Sequence, residues 1–166
     1  IGNLEVLMKD RTQIPAEGKL KISLDFNSSA GGKGVEIIIP DDAPSEVIAA
    51  AKKYVGGVKD FFDSNGYGNY KIRDGGKYGL GILTTSENKK RRKDNKGGVS
   101  NTIHTEGFFA QDAKAEKIVD ENFQSFAKLH LDVFGDLSAR MIIPHGAKGN
   151  PVGASSKTFG NEYEYG

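Results

Sequence analysis

An alternation of strand-like and helix-like stretches places this chain in the α/β class, with a mostly parallel or mixed sheet flanked by helices. Three observations carry that expectation. Leu20 to Phe26 alternates, with Leu20, Ile22, Leu24 and Phe26 on one face and Lys21, Ser23 and Asp25 on the other. The consecutive Ile37, Ile38 and Ile39 call for a strand buried on both faces. From Ala113 to Phe134 the apolar residues recur at the spacing of one broad helix face. A length of 166 residues suits one domain with a substantial core, and no internal repeat or low-complexity linker divides it.

Taken in order, Leu4 to Met8 reads as a short strand, followed by a polar turn through Pro15 and Gly18. The alternating strand from Leu20 ends in the loop Asn27 to Gly32, and a third strand runs from Gly34 to Ile39 until Pro40 stops it. Asp41 to Glu46 looks like a helix start, with Asp42 or Ala43 near the cap and Pro44 in the first turn. That helix is expected to reach about Ser64. Gly56 and Gly57 in its middle mark a bend or the close approach of another element. Tyr70 to Arg73 and Leu80 to Thr84 read as two short strands around Asp74-Gly75-Gly76. Ser86 to Gly98, with the basic run Lys89 to Lys93, reads as an exposed loop. Ile103 to Thr105 ends a buried strand, so Glu106 falls where strand gives way to loop and Gly107 permits a sharp turn. Met141 to Ile143 is a last buried strand, and Pro144 to Gly166 is a glycine-rich tail without evident secondary structure.

Composition narrows the chemistry. The net charge is +1, so the chain as a whole is not a polyelectrolyte binder. The absence of cysteine removes disulfides, thiolate catalysis and Cys-based zinc sites. It also sets aside the zinc deaminases, which His104-Thr105-Glu106 would otherwise evoke. No stretch approaches the roughly 18 apolar residues of a membrane span. The basic run has no interleaved aromatics and is flanked by Glu87 and Asp94. A solvated loop accounts for it better than a nucleic-acid grip, the third functional alternative.

The candidate chemistry lies in carboxylates and three histidines. Glu106, at a strand end, stands where α/β folds put reactive groups, although position alone fits a solvated loop glutamate equally well. His130, between Leu129 and Leu131, reads as a structural or surface residue. His145 follows a buried strand and precedes Gly146, a favourable place for a metal ligand.

Pro144-His145-Gly146, then Gly153-Ala154 and Glu162, resembles the first motif of the zinc-dependent N-acetylmuramoyl-L-alanine amidases. Ile103 to Phe109 and the helix behind it resemble that family's last motif, a strand ending in Val-Glu followed by Gly-Phe. Ser23-Leu24-Asp25-Phe26-Asn27-Ser28 with Gly34-Val35-Glu36 resembles its Ser-Ile-His-Ala-Asn and Gly-Val-Glu segments. The likeness spans most of Leu20 to Glu162. It departs from the family in two ways. Asp25 stands where a ligating histidine is expected, and the His-Gly motif comes last instead of first, an order that a circular permutation would account for.

The resemblance implies an amidase-like fold and a zinc ion held by His145, Asp25 and Glu162, with Glu164 as the alternative acid. It implies Glu106 as the acid/base and Asn27 at the substrate. His104 lies on the same strand face as Glu106, as an oxyanion donor, a substitute ligand or a plain hydrogen-bonded strand histidine. The implied substrate is peptidoglycan or a muropeptide, cut at the muramoyl-L-alanine amide. The expected form is a monomer in the extracellular space, cell wall or periplasm, without nucleic-acid partner or membrane span. Asp25 keeps open a wall-binding domain that has lost its metal.

Overall fold

The computed structural model describes residues 5–9, 20–84, 102–135, 137, 139–144, 155–156 and 160–161. In chain order these form β1 (Glu5–Lys9), β2 (Leu20–Asn27), β3 (Glu36–Ile39), α1 (Ser45–Ser64), β4 (Ile82–Thr84) and β5 (Thr102–Phe109). Then come α2 (Ala113–Glu121), α3 (Phe123–Phe134), β6 (Ala139–Pro144), β7 (Ser155–Ser156) and β8 (Gly160–Asn161). Six strands make one sheet in the order β1-β6-β2-β5-β3-β4. It is mixed: β3 runs antiparallel to β5, and every other neighbouring pair is parallel. The α/β expectation therefore holds. The motif-bearing strands β6, β2 and β5 lie side by side and point the same way.

The two faces of the central strands carry different chemistry. Ile22 and Phe26 of β2, Ile103 of β5, and Ile37 and Ile39 of β3 join one apolar core with α1, α2 and α3. The alternate positions Ser23, Asp25, His104, Glu106, Glu36 and Ile38 fall on the opposite face by the two-residue period of a strand. Ile37, Ile38 and Ile39 are all buried, as three adjacent isoleucines require of a strand covered on both sides.

Gly107 of β5 lies against helix side chains. A Cβ on Gly107 would stand 2.9 Å from both Phe126 Cζ and the Tyr54 hydroxyl. Gly107 is thus needed for contact with α1 and α3, and no turn occurs there. β5 runs on through Glu106 to Phe109, which corrects the expectation of a loop at Glu106. The pairing persists because β5 accommodates an extra residue: Asp25 opposes Glu106, but Asn27 opposes Phe109. The bulge sends Phe108 into the core, 5.6 Å from the Phe26 ring, and brings Phe109 beneath the Arg73 guanidinium.

The helix expected from Ala113 to Phe134 is two helices broken at Asn122. The Asn122 backbone N–H and side-chain amide both donate to the Ile118 carbonyl, an alternative to continued helix that short amide side chains offer. Tyr70 to Arg73 forms only a single bridge, Val35 to Ile72. The tail contains the small antiparallel pair of β7 and β8, where none was expected.

α1 shows why its paired glycines differ. A Cβ on Gly57 would meet Leu129 Cδ1 of α3 at 2.7 Å, whereas one on Gly56 would meet nothing within 4 Å. The Gly56→Ala variant is expected to be more stable by up to about 1 kcal/mol, the helix-propensity difference. Gly57→Ala should lose that gain to the collision with Leu129. Midpoints of urea unfolding compare the two, and equal shifts would show that α1 and α3 do not pack as described.

Candidate active site

The polar face of the sheet brings three carboxylates abreast. Asp25 of β2 is the register partner of Glu106 of β5, and Glu106 is the register partner of Glu36 of β3. Glu36 and Glu106 are buried, as are Ser23 and His104 on the same face. Like charges directly across a sheet are destabilising. A row of this kind forms only where other groups offset it.

Each acid has such a group. Arg73 Nε lies 3.0 Å from Glu36 Oε2. The Asn27 amide donates to Glu36 Oε1 at 2.9 Å and to Glu106 Oε2. The Ser23 hydroxyl donates to Asp25 Oδ2 at 3.0 Å, and His104 Nδ1 lies 3.7 Å from the same oxygen. Thr105, on the other face of β5, donates its hydroxyl to the Ser23 carbonyl at 3.1 Å and pins β5 to β2. At the rim, Gln111 binds both the Ser29 backbone N–H and the Ser28 hydroxyl, joining the loop after β2 to the turn after β5.

Behind the site, aromatic groups set the height of β5. The Tyr70 hydroxyl donates to the Gly107 carbonyl at 2.9 Å, and its ring stacks on Phe62 at 4.0 Å. Burial pushes the Tyr70 phenol well above its ordinary range, with the Asp112 charge adding to the effect. Asp112 caps α2 by accepting from the Ala115 N–H at 3.3 Å, and it also accepts from the Tyr67 hydroxyl at 2.6 Å. Burial first, then Asp112, drives the Tyr67 phenol upward as well.

Four of the residues singled out from the sequence, Asp25, Asn27, His104 and Glu106, fall together in this cluster. His145, Glu162 and the alternative Glu164 lie outside the described residues, as does the basic run Lys89 to Lys93. Among the described residues, no group of three or more His, Asp or Glu side chains is arranged to hold a metal ion. Carboxylate and imidazole are donor types that zinc accepts, but Asp25 and His104 alone do not complete a site. Two members of the cluster, Glu36 and Arg73, are not evident as site residues from the sequence. The available signal is a glutamate opening an otherwise apolar strand, Glu36-Ile37-Ile38-Ile39.

His130 is a core residue and not a ligand. Its Nδ1 lies 2.9 Å from the Phe126 carbonyl and its Nε2 lies 3.3 Å from the Tyr54 hydroxyl. One tautomer satisfies both contacts: Nδ1–H donates to the carbonyl and Nε2 accepts from the phenol. Among the described residues, no helix is long and apolar enough to cross a membrane. Comparison of the chain with family models, characterised proteins and solved structures gives no match.

Burial pulls the His130 imidazole down to about 4, so it is neutral in the folded protein at pH 5 but protonated once unfolded. The unfolded chain then binds the extra proton. Stability is accordingly complete above the ordinary histidine value near 6.5 and falls as pH drops toward 4, by about 3 kcal/mol in all. A His130→Gln variant should lose this part of the acid slope. Unfolding free energies at pH 7, 5.5 and 4 measure it, and identical slopes in the two proteins would mean that His130 is not buried neutral.

Proposed function

We propose that this chain hydrolyses the amide between N-acetylmuramic acid and L-alanine in peptidoglycan, with Glu106 moving the proton. One observation supports the reading above the rest. Asp25 and Glu106 belong to motif-like stretches 81 positions apart, yet they are register partners on adjacent parallel strands. β6, which leads toward His145, pairs with the other edge of β2 in the same direction. The three stretches thus leave the sheet at one edge, where α/β folds place their ligands.

The chemistry asked of Glu106 is general acid–base catalysis. Its carboxylate accepts a proton from the attacking water and returns it to the leaving amide nitrogen, so that the C–N bond breaks with a neutral amine departing. Asn27 holds Oε2 from one side, and the buried setting keeps bulk water from competing for the proton. Asp25 is the described residue that would hold a zinc ion, which when bound makes water a better nucleophile and the carbonyl a better electrophile. The reading carries a secreted or wall-associated location, a monomeric form and a muropeptide partner as parts of the proposal.

Asp25 itself favours a second reading, a wall-binding domain that has given up catalysis. A carboxylate in place of an imidazole changes charge and reach at the metal.

Two measurements separate these readings. Protein purified without chelator or affinity metal should carry about one zinc ion per chain, with His145→Ala abolishing it. Glu106→Gln should lose at least about 100-fold in the rate of release from muropeptides. It should unfold no more easily than the parent, because the substitution relieves like-charge repulsion. A Glu106→Gln variant as active as the parent would remove Glu106 from the reaction. Retention on cell wall without bound zinc or hydrolysis would favour the binding domain.

A further inference from the structure

The side-chain amide of Asn27 sits between two acids. Its Nδ2 donates to Glu36 Oε1 at 2.9 Å and to Glu106 Oε2, and its Oδ1 accepts from the Ser28 N–H at 2.8 Å. The Ser28 contact decides which end of the amide is which. An amide has two N–H bonds, and both are committed to carboxylates, so no donor remains to greet a substrate.

Glu36 is itself fixed. Its side chain is 3% exposed and paired with Arg73, whose guanidinium lies 4.9 Å from the centroid of the Phe109 ring. Arg73 is held beside Val35, the residue before β3, by the backbone: its N–H donates to the Val35 carbonyl at 3.1 Å, and the Val35 N–H donates to the Lys71 carbonyl at 3.0 Å. Gly34 makes that clamp possible. It has φ of +107°, and a Cβ there would stand 2.7 Å from the Lys71 carbonyl oxygen. Charge-assisted hydrogen bonds of this kind are stronger and shorter than neutral ones, and a chain of them resists rotation of its members.

We propose that Asn27, oriented by Glu36 and Arg73, is a positioning residue that sets the rotation of the Glu106 carboxylate and does not bind substrate. The proposal rests on the hydrolase reading for its consequence but not for its geometry. Glu36, with its oxygens divided between Arg73 and Asn27, is the fixed post from which the amide is hung. Loss of the amide removes the donor that Glu36 and Glu106 share. Loss of Arg73 removes the cation that holds Glu36 Oε2.

Steady-state kinetics on a muropeptide and side-chain amide exchange by NMR test it together. Asn27→Ala and Asn27→Asp should lower kcat by about 100-fold at unchanged KM, the scale of a misaimed reacting group. Glu36→Gln, which keeps an acceptor for the amide, should lose less than Glu36→Ala. A rise in KM with kcat preserved would instead make Asn27 a substrate contact and overturn the proposal. The amide protons of Asn27 should exchange at least about tenfold more slowly than those of exposed Asn69. Glu36→Ala and Glu106→Ala should each release one of them. Exchange as fast as that of Asn69, unmoved by either variant, overturns the bridge whatever the activity. Parallel assay of Glu106→Gln keeps the two ideas apart: activity retained there fails the hydrolase reading alone, while the exchange data decide the bridge.

Discussion

The pairing of β2 with β5 is the constraint on which the rest of the described structure depends. These two parallel strands set Ile22 beside Ile103 on one face and Asp25 beside Glu106 on the other. A slip of one residue along either strand would exchange the faces, turning carboxylates into the apolar core and isoleucines onto the acidic side. Core and candidate site are therefore specified by the same register. The Thr105 hydroxyl on the Ser23 carbonyl secures it from within the sheet, and the bulge before Phe109 ends the regular ladder immediately beyond the acids.

Helical cover depends on that register too. Gly107 presents bare backbone to Tyr54 and Phe126, while Tyr70 reaches the Gly107 carbonyl. The residue that follows Glu106 is thus gripped from behind by three aromatic side chains. A carboxylate on a strand so held loses little more freedom when it engages a reactant, the advantage that rigid elements have over loops as platforms for chemistry. The like-charged row Asp25, Glu106 and Glu36 works against folding, and an apolar set at the same positions would give a more stable sheet. Retaining three acids in one register, each met by a specific donor, is a feature that stability does not explain.

Much of this was legible in the sequence, and its failures have physical causes. Alternation located β2, three isoleucines located β3, and the Pro44 start located α1 to within a residue or two. Gly56-Gly57 reads as either a bend or a close approach, and the structure gives the close approach at Gly57 alone, against Leu129. Glu106 lies within β5 and not at its end, because Gly107 serves the contact with α1 and α3; a glycine after a strand reads as a turn unless the neighbouring helices are known. The break at Asn122 leaves no trace in the apolar spacing, which runs straight across it; the Asn122 amide and backbone N–H on the Ile118 carbonyl mark where the first helix ends. Asn27 reads from the sequence as a candidate substrate contact, whereas its hydrogen bonds to Glu36 and Glu106 lie beside a bulge in β5 that no local pattern announces. The pairing of Glu36 with Arg73 is not legible, because an ion pair between residues 37 positions apart leaves no periodic trace.

The place of β6 in the sheet bears on how the chain is made. β6 lies between β1 and β2, and it is the strand in this sheet with which β1 pairs. During synthesis β1 and β2 emerge before β6 and remain unjoined until it has left the ribosome. Ladders that close over so long a stretch of chain are slow to form. Until then the apolar core around α1 can assemble on β2, β5, β3 and β4, but one edge of β2 stays open as a template for other chains. A nascent chain arrested before residue 139 would carry its acidic row and all three described helices, yet lack the strand that closes the β2 edge.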